Sequence, residues 1–267
     1  MRIGPLNVSL QQRRRVSGGG LESLIRFTCP ICGAFNEVGS EGMGREVADC
    51  VGCRSTVRFR SIVFHLLREL GIRAASLADA EPDAGITGIG LSDWVGYAKP
   101  LGKKFLYTNT RFDAEPRLDI THPETRFHGT CDFLIASDVF EHVLPPVARA
   151  FTGAAQVLKT NGVLLLTVPF IPDAETVEHY PDATGYHVAS GGAVSIETAG
   201  QTYRAEDPRF HGGLGATLEM RLFGSTGLRR SLEDAGFVDI TFHYESCLSA
   251  GILHTDLHSV PVTARKR

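Results

Sequence analysis

The chain has 267 residues, 43% of them hydrophobic and 21% charged, with a formal net charge of −3. That is room for one full α/β domain and a small appendage, with ordinary globular composition and no global attraction to nucleic acid or anionic membrane. No apolar run approaches the ~18–20 residues that cross a bilayer. The first stretch, Met1–Gly20, carries Arg13-Arg14-Arg15 and ends in Gly18-Gly19-Gly20. It lacks the apolar centre of a secretory signal, so residues 1–26 read as a disordered leader, with a mitochondrial targeting role as the alternative. Cytoplasmic residence follows by default.

Two knuckles come next, Cys29-Pro-Ile-Cys32 and Cys50-Val-Gly-Cys53, with residues 33–49 between them. Paired Cys-x-x-Cys motifs about 15–20 residues apart are a zinc pattern, because each pair chelates with two thiolates and the linker spans one hairpin. Gly33 and Gly52 leave backbone room for the tight turns. Residues 27–57 are therefore expected to form a zinc ribbon with Cys29, Cys32, Cys50 and Cys53 as ligands. Four cysteines leave no open coordination position, so the metal is structural. Two disulfides or a redox pair are the competing readings; a reducing compartment disfavours the first, and redox motifs usually occur singly. Cys131 and Cys247 stand alone and read as small semi-buried residues.

Arg54, Arg58 and Arg60 follow the second knuckle. They could bind phosphate or nucleic acid, or hydrogen-bond carbonyls of the ribbon. Ile62, Val63, Leu66, Leu67 and Leu70 then recur at helical spacing up to Gly71, giving an amphipathic helix within a connecting segment, residues 58–83. From residue 84 the pattern becomes that of an α/β domain. Ile86–Leu91 reads as a first strand, Trp94–Leu101 as a short helix, Phe105–Thr110 as a second strand and Leu118–Thr121 as a third. Phe133–Ala136 and Val163–Val168 are unalternated apolar runs, as expected of parallel strands covered on both faces. Between them Val147–Leu158 is a crossover helix, with Pro145 and Pro146 at its start and Asn161-Gly162 past its end. The intervening loop, with Asp138, Glu141 and His142, falls at the carboxyl end of its strand, where open α/β sheets bind ligands. Residues 170–221 look irregular and polar, a length that in a compact domain is functional or disordered. The Leu222–Ala235 helix precedes two closing strands, Phe237–His243 and Val260–Arg265.

Asp132 opening a strand, Ser137-Asp138-Val139, Glu141-His142-Val143, and Leu158-Lys159 before Asn161-Gly162 resemble class I S-adenosylmethionine-dependent methyltransferases. The resemblance covers about residues 84–265. It implies a Rossmann-like, mostly parallel seven-stranded sheet with an antiparallel terminal pair formed by the last two strands. The family's usual Lys-Pro-Gly-Gly turn is Lys159-Thr-Asn-Gly162 here. Its glycine-rich first turn is reduced to Gly88-Ile-Gly90-Leu-Ser92-Asp93. Where the second strand usually ends in an acid that grips the ribose, the chain offers Asn109 and Thr110. Asp119 matches the position that contacts the adenine amino group. The cofactor set implied by the resemblance is thus Gly88, Gly90, Ser92, Asn109, Thr110, Asp119, Ile120, Ser137 and Asp138.

His142 reads as general base, since an unperturbed imidazole titrates near working pH, and Glu141 as its orienting partner. The alternative is that Glu141 caps the next helix and His142 only lines the pocket, because positioning supplies most of a methyl transfer's acceleration. His211-Gly212 and Phe223-Gly224-Ser-Thr-Gly-Leu228 are similar to the substrate-covering insertion of the family branch that also carries a cysteine ribbon. His179, His187 and His211 as a second metal site is the competing reading of the insert. The expected acceptor is a hydroxyl, amine or carboxyl of a small molecule or saccharide. The alternative function is a non-catalytic methyltransferase fold whose ribbon binds nucleic acid or protein. A nicotinamide-dependent dehydrogenase is disfavoured, because the full Gly-x-Gly-x-x-Gly is missing.

Overall fold

The computed structural model describes residues 24–211, 217–255 and 257–267. The expected leader therefore lies almost wholly outside the described residues, as do Gly212 and Gly213 of the insert. Strands β1 (Leu24–Thr28) and β2 (Phe35–Gly39) form an antiparallel hairpin whose turn is the first cysteine knuckle. After the second knuckle the chain enters α1 (Val57–Glu69), capped by the Thr56 hydroxyl, which accepts from Phe59 N. Gly71, at φ +70, ends it, with Ile72 N donating back to Leu67 O.

The central sheet is built from β3 (Asp83–Leu91), β4 (Phe105–Thr110), β5 (Cys131–Ser137) and β6 (Leu158–Thr167), all parallel. Helix α2 (Val95–Lys104) links β3 to β4, and α3 (Ala148–Val157) links β5 to β6. The described residues of 170–224 carry eight short strands: β7 (Phe170–Ile171), β8 (Val177–Glu178), β9 (Gly185–Val188), β10 (Val194–Glu197), β11 (Thr202–Arg204), β12 (Phe210–His211), β13 (Thr217–Leu218) and β14 (Arg221–Gly224). Helix α4 (Ser225–Asp234) and strands β15 (Phe237–Phe242) and β16 (Val262–Lys266) complete the fold. The sheet order is β15-β16-β6-β5-β3-β4, with β16 antiparallel to both neighbours, as expected of the closing pair.

Two expectations need correcting. The sheet has six strands among the described residues, not seven, because Leu118–Thr121 does not pair as a strand. There the Asp119 carboxylate accepts from both Thr121 N (2.9 Å) and Thr121 Oγ1 (2.6 Å), a local turn that competes with a ladder. The insert is not irregular either. Strands β9, β10 and β11 form an antiparallel sheet, and Tyr180, Ala183, Val194, Ile196, Ala205, Leu218 and Met220 pack as a core of their own.

Side-chain alternation along β5 explains its unbroken apolar run. Leu134 and Ala136 join Leu164 and Leu166 under α3 and α4, while Phe133 and Ile135 join Val163 and Leu165 under α1 and α2. The second layer also takes in Ile25, Phe27, Cys29, Ile31, Met43 and Cys50. The ribbon thus shares a core with the sheet, and each such buried side chain contributes roughly 1.5–3 kcal/mol before entropy is charged against it. Arg60 is fully buried in this layer. It donates to Gly251 O (2.8 Å), Ser55 O (2.7 Å) and the Asp49 carboxylate, with its guanidinium 4.7 Å from the Phe27 ring centroid. Of the three arginines after the second knuckle, Arg60 is therefore structural, while Arg54 is exposed.

Candidate cofactor edge and four-cysteine cluster

Each knuckle closes on a left-handed residue four positions after its first cysteine. Gly33 (φ +75) donates to Cys29 O, and Arg54 (φ +62) to Cys50 O. This brings Cys29 Sγ within 3.7 Å of Cys53 Sγ, Cys32 within 3.6 Å of Cys50, and Cys50 within 3.7 Å of Cys53. All four sulfurs lie within 4.8 Å of one another and none forms a disulfide. A tetrahedron of thiolates about 2.3 Å from a zinc ion has edges of about 3.8 Å, so the spacing suits a metal and not an S–S bond. The hydrogen bond that the Cys29 thiol makes to Cys53, and then burial, push it up to about 12, and burial pushes Cys32 up to about 11.

The sheet's switch point lies between β3 and β5, since the chain leaves β3 for β4 on one side and returns to β5 on the other. The loops after both strands turn on left-handed residues, Ser92 (φ +58) and Asp138 (φ +53). In the first loop Asp93 is 7% exposed and accepts from Tyr97 Oη (2.7 Å) and Tyr107 Oη (2.5 Å). Burial pushes its carboxyl up to about 7 against the pull of those two donors and of Arg58. A Cβ on Gly90 would stand 2.0 Å from Tyr107 Oη and 2.2 Å from Asp93 Oδ2, so the glycine is required by this cluster. The Asn109 amide accepts from Asp93 N (2.8 Å) and donates to Asp93 O (2.9 Å). Thr110, fully buried, donates to Gly90 O (2.8 Å). In this structure both residues shape the turn, while Ser92 beside them is exposed. Gly88 makes way for Phe133, whose ring would meet a Cβ at 2.0 Å.

The second loop is tied to the N-terminal part of the chain. Arg45, from between the two knuckles, donates to both oxygens of Asp138 at 2.8 and 3.0 Å. Arg58 lies 3.5 Å from Asp138 Oδ2 and donates to Ser137 Oγ (2.6 Å), and Thr167 Oγ1 donates to Asp138 Oδ1 (2.8 Å). Burial would raise the Asp138 carboxyl, but the two arginines and Thr167 outweigh it and hold the group below its ordinary range. Between Arg45, Arg58, Thr167, Leu253, Thr255 and Pro261 is a cavity of about 20 Å³, room for one water.

Asp119 retains 30% side-chain exposure, and its Oδ2 lies 3.9 Å from His122 Nδ1. Neighbouring Ile120 is buried, and its carbonyl would meet a Cβ on Gly153 at 1.7 Å, so α3 packs directly on this segment. Beside it an open groove of about 270 Å³ runs between Thr121, His122 and the α3 residues Arg149, Thr152 and Gln156. Further along the edge, Glu141 is fully buried, with its Oε1 3.8 Å from His142 Nε2. The insert grips this segment. His142 Nδ1 bonds Leu218 O (2.9 Å), Met220 N donates to Glu141 O (2.8 Å), and buried Arg221 donates to Phe140 O and Glu178 Oε1, both at 2.7 Å. His179 faces Glu219 at 3.5 Å, and the described residues hold no His-based metal cluster.

The structure thus gathers Ser92, Ser137 and Asp138 at one edge, with Asp119 and the Glu141–His142 pair on adjoining loops. Sequence reasoning missed Asp93, Arg45, Tyr97 and Tyr107. Asp93 had a signal, an acid directly after the Gly-x-Gly turn; Arg45 had none. Hydroxyls at Ser92 and Ser137 and a part-exposed acid at Asp119 are compatible with S-adenosylmethionine.

An open sheet with this strand order and an antiparallel strand inserted next to the last edge defines a class I methyltransferase architecture. The family described as "Methyltransferase domain" matches residues 65–241, well over half of the chain. The chain belongs to that family and carries a methyltransferase domain. No curated protein matches it. Solved structures similar to it include the 1,6-didemethyltoxoflavin-N1-methyltransferase of Burkholderia thailandensis with S-adenosylhomocysteine bound. That match has 14% identity and a TM-score of 0.40, covering 76% of this chain and 75% of that one. The PH0226 protein of Pyrococcus horikoshii shares 11% identity at a TM-score of 0.46, covering 84% and 97%. No helix among the described residues is long and apolar enough to cross a membrane.

Proposed function

We propose that the protein methylates a hydroxyl, amine or carboxyl of a small molecule or saccharide, with His142 as the proton acceptor. The observation that carries this reading is the setting of the His142 ring. Its Nδ1 faces a carbonyl oxygen, which can only accept, so Nδ1 bears a proton and Nε2 is the basic nitrogen. Nε2 lies 3.8 Å from Glu141 Oε1. S-adenosylmethionine supplies the electrophilic methyl group. Asp119, Ser92, Ser137 and Asp138 are the residues we assign to holding it, with Gly88, Gly90, Asn109 and Thr110 giving the turn its shape. Leu218, Met220 and Arg221 fasten the insert over this loop, which suits a small acceptor shielded from water. The net charge of −3 offers no pull toward nucleic acid. We assign zinc to the four cysteines in a structural role, and cytoplasmic residence to a chain that keeps such thiols reduced.

The test is transfer of labelled methyl from S-adenosylmethionine across a panel of small-molecule and saccharide acceptors. With the acceptor found, His142→Ala should lower kcat by roughly 10²–10⁴-fold and leave the KM for the cofactor within about twofold. An unchanged kcat would mean catalysis by positioning alone.

A further inference from the structure

Arg58 sits across the switch point in a way the cofactor set above does not use. It projects from the first turn of α1 between the two ligand-edge loops. On one side Nη1 donates to Ser137 Oγ at 2.6 Å and Nε lies 3.5 Å from Asp138 Oδ2. On the other it is close enough to Asp93 and Tyr97 to act on their charge. Its guanidinium lies over Phe59 at 4.5 Å, and that ring is stacked on Trp94 at 4.5 Å, so the arm is fixed. The planar fork, Nε and Nη2, is filled by the Glu46 carboxylate at 2.7 and 2.9 Å. Glu46 is 49% exposed while Arg58 is 15% exposed. A pair with one partner in water is worth little, about 0–1 kcal/mol, so another carboxylate can take its place at small cost. Beside the fork stands Asp138, 3.5 Å from Nε, an acid an ammonium group would seek. A fork for a carboxylate next to an acid for an ammonium is a receptor for a zwitterionic amino acid.

We propose that Arg58 receives the carboxylate of the cofactor's amino-acid end, with Glu46 holding its place in the ligand-free protein. The segment after the cysteine ribbon is then one wall of the cofactor site. This inference rests on the cofactor reading above, and two ligands separate the two. S-adenosylhomocysteine carries the amino-acid end; 5′-methylthioadenosine lacks it. Both are titrated calorimetrically into the metal-loaded full chain. Arg58→Met should weaken S-adenosylhomocysteine by roughly 10- to 100-fold and leave methylthioadenosine within about threefold. Arg58→Lys, which keeps the charge and loses the fork, should fall between, and Glu46→Gln should tighten S-adenosylhomocysteine by removing its competitor. Should the Met variant melt early, the Lys and Gln variants carry the test. Equal weakening of both ligands, or no change in S-adenosylhomocysteine affinity, overturns the role of Arg58. Failure of either ligand to bind the unaltered protein overturns the cofactor reading and the inference with it.

Discussion

Asp93 is held between two tyrosine hydroxyls with 7% exposure, and burial pushes its carboxyl up to about 7. An acid whose pKa is raised on folding binds more protons folded than unfolded between about pH 4 and 7. It favours the folded state at low pH, and that contribution is lost as pH rises through 7. The shift corresponds to at most about 4 kcal/mol. Asp93→Asn should therefore flatten the profile, so that the wild type loses melting temperature relative to the variant between pH 5 and pH 8. Parallel profiles would show that the carboxyl ionises freely. At this scale the sequence was legible where a residue type has few uses. Four cysteines at that spacing point to one another. Thr110 and Asn109 were legible as polar groups but not as partners of the Asp93 and Gly90 backbone. Their hydrogen bonds depend on how β4 lies beside β3.

Among the elements, the ribbon hairpin carries the sharpest consequence. Phe27, Ile31 and Met43 share a core layer with Phe133 and Val163 of the sheet, and Gly251 makes room for the Phe27 ring. Loss of the metal is then expected to loosen more than the knuckles. Cys50→Ser should abolish the one zinc per chain expected by metal analysis and lower Tm by on the order of 10 °C, since several kcal/mol at ~2–4 °C each are at stake. A Tm within a degree of wild type would mean that the ribbon folds apart from the sheet. Helices and parallel strands were readable because they are long and periodic. The failures came where periodicity is short. Strands of two to four residues in the insert hold too few side chains to display alternation, and at 118–121 an aspartate turn won over an apolar pair.

For the molecule as a whole, the order of elements fixed the sheet and placed its ligand edge. What it could not place were contacts between segments far apart in sequence. Arg45 meets Asp138 across 93 positions, and Arg221 meets Phe140 O across 81. Through such contacts the ribbon and the insert close on the same edge from opposite ends of the chain, one against Asp138 and the other against Glu141 and His142. On the reading proposed above, this edge is a working cofactor site. Its most direct test is isothermal titration of S-adenosylmethionine and S-adenosylhomocysteine into the zinc-loaded protein, with Asp119→Ala as control. Micromolar binding, weakened roughly 10- to 100-fold in the variant, is the predicted result, since a hydrogen bond to a charged group is worth about 1.5–3 kcal/mol. No binding by the folded protein at millimolar ligand would contradict it.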